Sequence, residues 1–107
     1  MFDLTLTFDN GPEPSVTPRV LDIMRERALK TTFFVIGEKL GDPARRQLAE
    51  RAHGEGHWIG NHTYSHSVPL GRQADAAIAE DEIVRTQMLL GELAGPERLF
   101  RPFGGAI

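Results

Sequence analysis

The chain has 107 residues, of which 40% are hydrophobic and 25% are charged, a composition typical of one small globular domain and not of a disordered segment. Its net charge of -3 and its scattered Lys and Arg residues exclude the basic stripe that nucleic-acid binding requires. No apolar run approaches the ~20 residues of a membrane-spanning helix, and the first residues lack the basic and apolar segments of a signal peptide.

Cysteine is absent, which excludes disulfides and thiolate chemistry but does not separate cytosol from exterior. The chain as given is expected to be cytoplasmic, whereas a domain excised from a longer protein could be secreted or attached to the cell surface. Neither nucleic acid nor a membrane is expected as a partner.

The first predicted strand spans residues 2–8, where Phe and Leu alternate with Asp and Thr. A proline-containing loop follows at residues 11–14. Thr17 then predicts an N-cap with Pro18 at the first helical position, and this helix is expected to run to about Ala28. Its predicted apolar stripe consists of Val20, Leu21, Met24 and Leu29.

Residues 32–36 form a β-branched and aromatic run that predicts a fully buried parallel strand, ended by Gly37. Asp42 predicts the cap of a second helix, with Pro43 in its first turn and Gly54 at its end.

A short third strand is predicted at residues 57–60, followed by a helix from about Gln73 to Leu93 and a fourth strand at residues 98–101. The predicted buried face of that helix consists of Ala77, Ile78, Ile83, Val84, Met88 and Leu89. The order βαβαβαβ predicts a single α/β domain over residues 1–107, with parallel strands and right-handed crossovers.

Two polar clusters lie at predicted strand ends, where α/β folds place their chemistry. Asp9 and Asn10 follow the first strand, and residues 62–66 (HTYSH) follow the third. Histidines separated by three residues suit one divalent metal ion, but the spacing alone is a weak signal, because His53 and His57 repeat it. That second pair is interpreted as structural, since one member ends a helix and the other opens a strand.

The residues alone leave other interpretations open. A zinc-protease motif needs Glu directly after the first histidine, and Thr63 stands there instead. Asp9 ahead of Gly11-Pro12 also fits an ordinary Asx turn, and residues 62–66 also fit a solvated polar loop.

Three segments give the chain a family resemblance. Residues 7–11 (TFDNG) match the motif Thr-Phe-Asp-Asp-Gly except at Asn10, residues 62–66 match His-Ser/Thr-x-x-His, and residues 101–105 (RPFGG) are a degenerate form of Arg-Pro-Pro-Tyr-Gly. On these motifs the chain resembles the polysaccharide deacetylase family, the NodB-homology domain. Further similarity covers residues 30–37 and 56–62.

The resemblance implies a metal-dependent hydrolase that removes N-acetyl groups from an amino-sugar polymer, or cleaves a related small amide C–N bond. It implies His62 and His66 as ligands of a divalent metal, with Zn²⁺ expected, and Asn10 at the position of a metal-binding Asp. Because an amide brings no negative charge, three outcomes stay open: a weakened metal site, an altered metal preference, or a site without metal.

The resemblance also implies catalytic roles. Asp9 stands at the position of the catalytic base, which takes a proton from the attacking water. Arg101 stands where the family has the residue that orients this carboxylate by a charge-assisted contact. Gly104 replaces a Tyr whose backbone N–H helps to bind the oxyanion, and glycine keeps that donor. Trp58, Tyr64 and Phe103 are either sugar-stacking surfaces or ordinary core and rim aromatics.

The implied family fold is a distorted barrel of seven or eight strands, so the chain is expected to form about half of it. The family's fourth and fifth motifs, with the general-acid His, have no counterpart in residues 1–107, and four parallel strands cannot close a barrel. We therefore expect an impaired or incomplete enzyme whose sheet edges are covered by self-association or by a second half. The alternatives are a non-catalytic member of the fold that binds carbohydrate or protein, and a plain structural fragment.

Overall fold

The computed structural model describes residues 6–67 and 76–102 of the chain. The strands are β1 (Thr7–Gly11), β2 (Thr32–Val35) and β3 (Trp58–Asn61), the α-helices are α1 (Thr17–Glu26), α2 (Pro43–Gly54) and α3 (Ala76–Leu90), and two 3₁₀ segments span Gly37–Gly41 and Gly91–Ala94. Among the described residues, no helix is both long and apolar enough to span a membrane.

The three strands form one parallel sheet in the order β1-β2-β3. Thr32 of β2 pairs with Thr7 on one side and with Trp58 on the other, so the strands start level with one another. Their carboxyl ends therefore lie at the same edge of the sheet, which confirms the predicted parallel α/β architecture.

The predicted fourth strand at residues 98–101 is wrong in extent. Phe100 forms a single parallel bridge with Asn61, on the side of β3 that faces away from β2. The Asn61 N–H donates to the Leu99 carbonyl at 2.9 Å, and the Arg101 N–H donates to the Asn61 carbonyl at 2.9 Å.

The backbone on both sides of this bridge explains why no longer ladder forms. Arg98 has a φ of 50°, in the left-handed region that strands do not use. Pro102 has no N–H to donate to a neighbouring strand. The segment nevertheless lies against β3, which brings its side chains to the carboxyl edge of the sheet.

Strand β1 extends past its predicted end at residue 8. The pairing with β2 is irregular between Asp9 and Gly11, and Asn10 between them has a φ of 74°. An extra residue of this kind bends a strand and redirects its side chains. The predicted residues 1–5 of this strand lie outside the described ranges.

The start of α1 corrects another prediction. Val16, not Thr17, occupies the N-cap position and provides no side-chain bond. The Thr17 hydroxyl instead accepts from the Glu13 N–H at 2.8 Å, so it closes the preceding turn and is not available as a cap. The helix ends at Glu26, and Leu29, predicted for its apolar stripe, lies beyond it with 41% exposure.

Helix α2 agrees with the sequence signals. The Asp42 side chain accepts from the Arg45 N–H, Pro43 occupies the first turn and the helix ends at Gly54. The apolar core lies between these helices and the sheet, and its largest members are Leu21, Phe33, Val35, Leu40, Ile59, Leu90 and Leu93.

The predicted buried face of α3 is wrong. The buried residues of this helix are Glu82, Thr86 and Leu90. Five of the six residues predicted to be buried are exposed: Ala77, Ile78, Val84, Met88 and Leu89. The reason is that α3 packs against polar backbone, namely the first 3₁₀ segment and the loop after β3, and not against an apolar layer alone.

The contact between α3 and the first 3₁₀ segment is close enough to test. A Cβ at Gly37 would lie 2.9 Å from the Thr86 Cβ, so Gly37→Ala should lower the free energy of unfolding by about 1–3 kcal/mol, the usual cost of overpacking. Gly41→Ala is the matched control, because nothing lies within 4 Å of its Cβ. Equal denaturant midpoints for the two variants would contradict the close contact.

His57 gives a second test, through the dependence of stability on pH. Its Nδ1 accepts from the Thr31 N–H at 3.1 Å, and burial, with a smaller contribution from Lys30, lowers its pKa from the ordinary value of 6.5, while Glu55 opposes this. A pKa depressed by folding means that the stabilisation is present above pH 6.5 and is lost as the pH falls.

We expect the free energy of unfolding of the wild type to fall between about pH 7 and about pH 5, measured by urea titration. His57→Asn keeps an acceptor for the Thr31 N–H but does not titrate, so its pH dependence should be shallower. His53→Asn, an exposed position nearby, should retain the wild-type slope. A slope equally reduced in both variants would show that His57 is not responsible.

Candidate active site

Asp9 lies at the carboxyl edge of the sheet, beside the irregularity in β1. The Arg101 Nη1 donates to Asp9 Oδ1 at 2.8 Å and to the Thr7 hydroxyl at 2.9 Å. The Asp9 side chain keeps 35% exposure. Its carboxylate is therefore held in one direction and open to water in another, as a general base requires.

Arg101 is itself held by its surroundings. Its guanidinium lies over the Phe34 ring of β2, 4.3 Å from the ring centre. Its backbone N–H donates to the backbone carbonyl of Asn61. Its carbonyl oxygen lies 2.7 Å from the Nδ1 atom of His62. Backbone and side chain of one residue thus contact both polar clusters.

His62 is almost fully buried, and its N–H donates to the Val35 carbonyl at 3.0 Å. Because the Arg101 carbonyl can only accept, the neutral ring carries its proton on Nδ1 and has a lone pair on Nε2. That Nε2 lies 4.0 Å from Asp9 Oδ2. The free lone pair therefore points into the space beside the carboxylate.

His66 lies beside His62, with ring centres 4.9 Å apart and ring planes at 48°. Its N–H donates to the Thr63 hydroxyl at 3.2 Å. Burial, and then the neighbouring His62, lower the pKa of His66, although Asp9 acts in the opposite direction. A lowered pKa favours the neutral imidazole, which is the form that binds metals.

The loop between the histidines is braced by backbone bonds. Thr63 is fully buried, its N–H donates to Asn61 Oδ1 at 2.9 Å, and its carbonyl accepts from the Gly37 N–H at 3.0 Å. The Tyr64 carbonyl accepts from the Glu38 N–H at 3.0 Å. These bonds fix the loop to the first 3₁₀ segment, which follows β2.

Asn10 is attached through its backbone. Its carbonyl accepts from Lys39 Nζ at 2.7 Å, and the same ammonium group is paired with the Glu13 carboxylate. The hydrogen bond from Lys39 lowers the pKa of Glu13, and Arg45 adds to this effect. Sequence reasoning missed Lys39 and Glu13, because no motif distinguishes them from other charged loop residues.

The structure brings four of the predicted site residues together, namely Asp9, His62, His66 and Arg101, with Asn10 in the same turn of the backbone as Asp9. Gly104 and Phe103 lie outside the described residues. Trp58 is 46% exposed at the opposite, amino end of β3. Tyr64 is covered by the Arg85 guanidinium, 3.9 Å from its ring centre.

The donor set can be compared with what a metal ion needs. Within residues 6–67 and 76–102, no group of three or more His, Cys, Asp or Glu side chains is placed to hold a metal ion. The two imidazoles nevertheless fit a pair of ligands, since His62 has its Nδ1 bonded to a carbonyl and its Nε2 free, the usual arrangement of a metal-bound histidine. The third expected ligand, Asn10, is an amide.

Two curated relatives cover nearly the whole chain. A peptidoglycan-N-acetylglucosamine deacetylase of Bacillus cereus is 36% identical over 104 residues, which make up 95% of this chain and 36% of that protein. A chitooligosaccharide deacetylase of Rhizobium leguminosarum bv. phaseoli is 40% identical over 104 residues, covering 96% of this chain and 41% of that protein. The chain thus spans less than half the length of these relatives.

A solved structure supports the same relationship. The crystal structure of a peptidoglycan N-acetylglucosamine deacetylase in complex with 4-naphthalen-1-yl-N-oxidanyl-benzamide superposes with a TM-score of 0.86 at 36% identity, covering 96% of this chain and 47% of that one. This match confirms the predicted deacetylase-type fold. The family model described as polysaccharide deacetylase matches residues 3–107, and the chain therefore belongs to the polysaccharide deacetylase family.

Proposed function

We propose that this chain acts in the metal-dependent hydrolysis of N-acetyl groups on an amino-sugar polymer, or of a related amide C–N bond. The observation that carries the proposal is the Asp9–Arg101 contact beside the pair formed by His62 and His66. The relatives are named for peptidoglycan and chitooligosaccharides, which supports an N-acetylated carbohydrate as the substrate class.

Asp9 is proposed as the general base. Arg101 leaves Oδ2 of the carboxylate directed toward His62, and this oxygen can accept the proton of a water molecule that attacks the amide carbonyl. Arg101 acts by positioning, because a single nitrogen of its guanidinium binds both Asp9 and Thr7 and so limits rotation of the carboxylate.

His62, His66 and Asn10 are proposed to hold a divalent cation, with Zn²⁺ as the first candidate. A cation bound there would polarise the amide carbonyl as a Lewis acid. Asn10 contributes an oxygen without charge, so we propose a weaker site than one with a carboxylate at this position. The N–H of Gly104 is proposed as a donor to the oxyanion.

Protonation of the leaving amine is not assigned to a residue of this chain. The chain has four histidines, and two of them are the proposed ligands. His53 and His57 lie at the amino end of β3, away from Asp9. The general acid that the family uses has no counterpart among them.

A second candidate function is favoured by one observation, the amide at position 10. A non-catalytic member of the fold would bind carbohydrate or protein in the same cleft. It would not need the negative charge that a carboxylate at position 10 contributes to a metal site. Metal content separates the two candidates, since stoichiometric bound zinc supports the hydrolase and its absence at saturating zinc supports a binding module.

Substitutions at position 10 test the metal site. Asn10→Asp adds a negative charge and should tighten zinc binding by about tenfold, or about 1.4 kcal/mol. Asn10→Gly is the matched control, because glycine adopts the φ of 74° without strain but offers no side-chain oxygen, so it should weaken binding. Identical affinities of all three proteins in calorimetric titration would show that position 10 does not contact the metal.

The rate of acetate release tests whether Asp9 acts as the general base. Zinc-loaded protein is incubated with N-acetylchitooligosaccharide, and Asp9→Asn should lower the rate by about a hundredfold or more, because the amide cannot accept the proton. Asp81→Asn, an exposed change on α3, should leave the rate unaltered. A rate of acetate release that is the same in Asp9→Asn as in the wild type would reject Asp9 as the base.

A further inference from the structure

We propose that Glu82 is a positioning residue for the candidate metal site, a buried carboxylate on α3 that holds the loop carrying His66. The inference rests on the proposed function, because it concerns how one proposed ligand is kept in place.

Glu82 is only 7% exposed, although the sequence places it between charged and apolar residues of a helix with an exposed outer face. Its Oε1 accepts from the Ser65 N–H at 3.0 Å and from the Ser65 hydroxyl at 2.9 Å. A buried carboxylate is unfavourable unless it is hydrogen-bonded, and bonds to a charged acceptor are strong. The carboxylate and the loop therefore depend on each other.

Ser65 directly precedes His66, so this anchor acts next to a proposed ligand. Thr63 and His66 have φ values of 69° and 58°, a region that residues other than glycine adopt only when the surrounding structure enforces it. The carbonyls of Thr63 and Tyr64 join the first part of the loop to the first 3₁₀ segment, but neither of these bonds is made by Ser65 or His66. Glu82 supplies a contact from outside the loop.

A second contact with α3 lies at the start of the loop. The Asn61 Nδ2 donates to the Ile83 carbonyl at 2.8 Å and to Gln87 Oε1 at 3.2 Å. The helix thus holds the loop at Asn61 and again at Ser65, with His62 between the two anchors. Each anchor directly precedes a proposed ligand, since His62 follows Asn61 and His66 follows Ser65, so contacts with α3 constrain the separation of the two imidazoles.

Loss of the Glu82 carboxylate would leave the Ser65 N–H without its acceptor, whereas the Ser65 hydroxyl could still donate to the Ser67 hydroxyl, 2.6 Å away. The His66 backbone could then leave its left-handed conformation, and the imidazole would move relative to His62. Removal of a group that orients a metal ligand without binding the metal itself typically lowers metal affinity by about 10- to 100-fold.

Zinc affinity of three variants tests the proposal. Glu82→Ala removes the acceptor and should weaken binding by about tenfold or more, whereas Glu82→Gln keeps Oε1 for both donors and should stay within about threefold of wild type. Glu80→Ala removes an exposed carboxylate from the same helix and should have no effect. A purely structural role would lower the melting temperature of Glu82→Ala without changing its zinc affinity, and this result would overturn the proposal.

Amide hydrogen exchange in zinc-free protein gives a readout that does not need the metal. The Ser65 and His66 amides should exchange about tenfold faster in Glu82→Ala than in wild type, while the amides of α2 stay unchanged. Wild-type exchange in this variant would reject the role of Glu82, whatever the zinc result. A wild type that binds no zinc would instead reject the proposed metal site and, with it, a role in positioning a ligand.

Ser65→Ala keeps the experiment decisive if Glu82→Ala does not fold. It removes the hydroxyl bond and retains the backbone bond, so it should weaken zinc binding less than loss of the carboxylate does. A Ser65→Ala variant that binds zinc as tightly as the wild type would overturn the proposal in that case.

Discussion

Arg101 is the residue on which the arrangement of the site depends, because three different parts of it are bonded to three different elements. Its N–H is bonded to the end of β3, its carbonyl accepts from His62, and its guanidinium reaches Asp9 on β1. The order of the sheet puts β2 between these elements. The side chain must therefore cross the whole width of β2 to reach the carboxylate.

This crossing is possible because of how β2 and β3 are built. The guanidinium lies on the face of the Phe34 ring, a cation–π contact that partly compensates its removal from water. A Cβ at Gly60 would lie 2.6 Å from carbon atoms of the same ring, so the absence of a side chain there lets the ring lie flat across β3. Gly60, Phe34 and Arg101 form successive layers on one face of the sheet. A shorter or non-planar cation could not make both the stacking contact and the bond to Asp9.

The parts of the fold that sequence predicts well are those set by short-range chemistry. Asp42, Pro43 and Gly54 define α2 through a cap, a fixed φ and a helix stop, all within a few residues. Thr17 shows the limit of such signals, because its hydroxyl has two possible partners and takes the one outside the helix. Helix α3 shows a different limit. Hydrophobic periodicity indicates which face of a helix is apolar, but it does not indicate that the surface packed against the helix is a polar loop.

The candidate site depends on contacts that no local pattern contains. Asp9 and Arg101 are 92 residues apart, and only the family motifs suggest that they meet. From the sequence alone, Glu82 is predicted to be an exposed helix residue. The structure instead places its carboxylate against the two donors of Ser65, 17 residues earlier in the chain. Long-range polar contacts of this kind are fixed by the topology of the sheet, which spacing in the sequence does not reveal.

The backbone at Asn10 has a consequence for how this site can change over evolutionary time. A φ of 74° admits few residue types without strain, chiefly Gly, Asn and Asp. Lys39 holds the carbonyl of this residue whatever its side chain is. An exchange between Asn and Asp at this position should therefore leave the backbone nearly unchanged, although it changes the charge of the candidate metal site. A single substitution at this position can therefore remove or restore the charge without altering the backbone, so chains that share this fold can differ in the chemistry of the site.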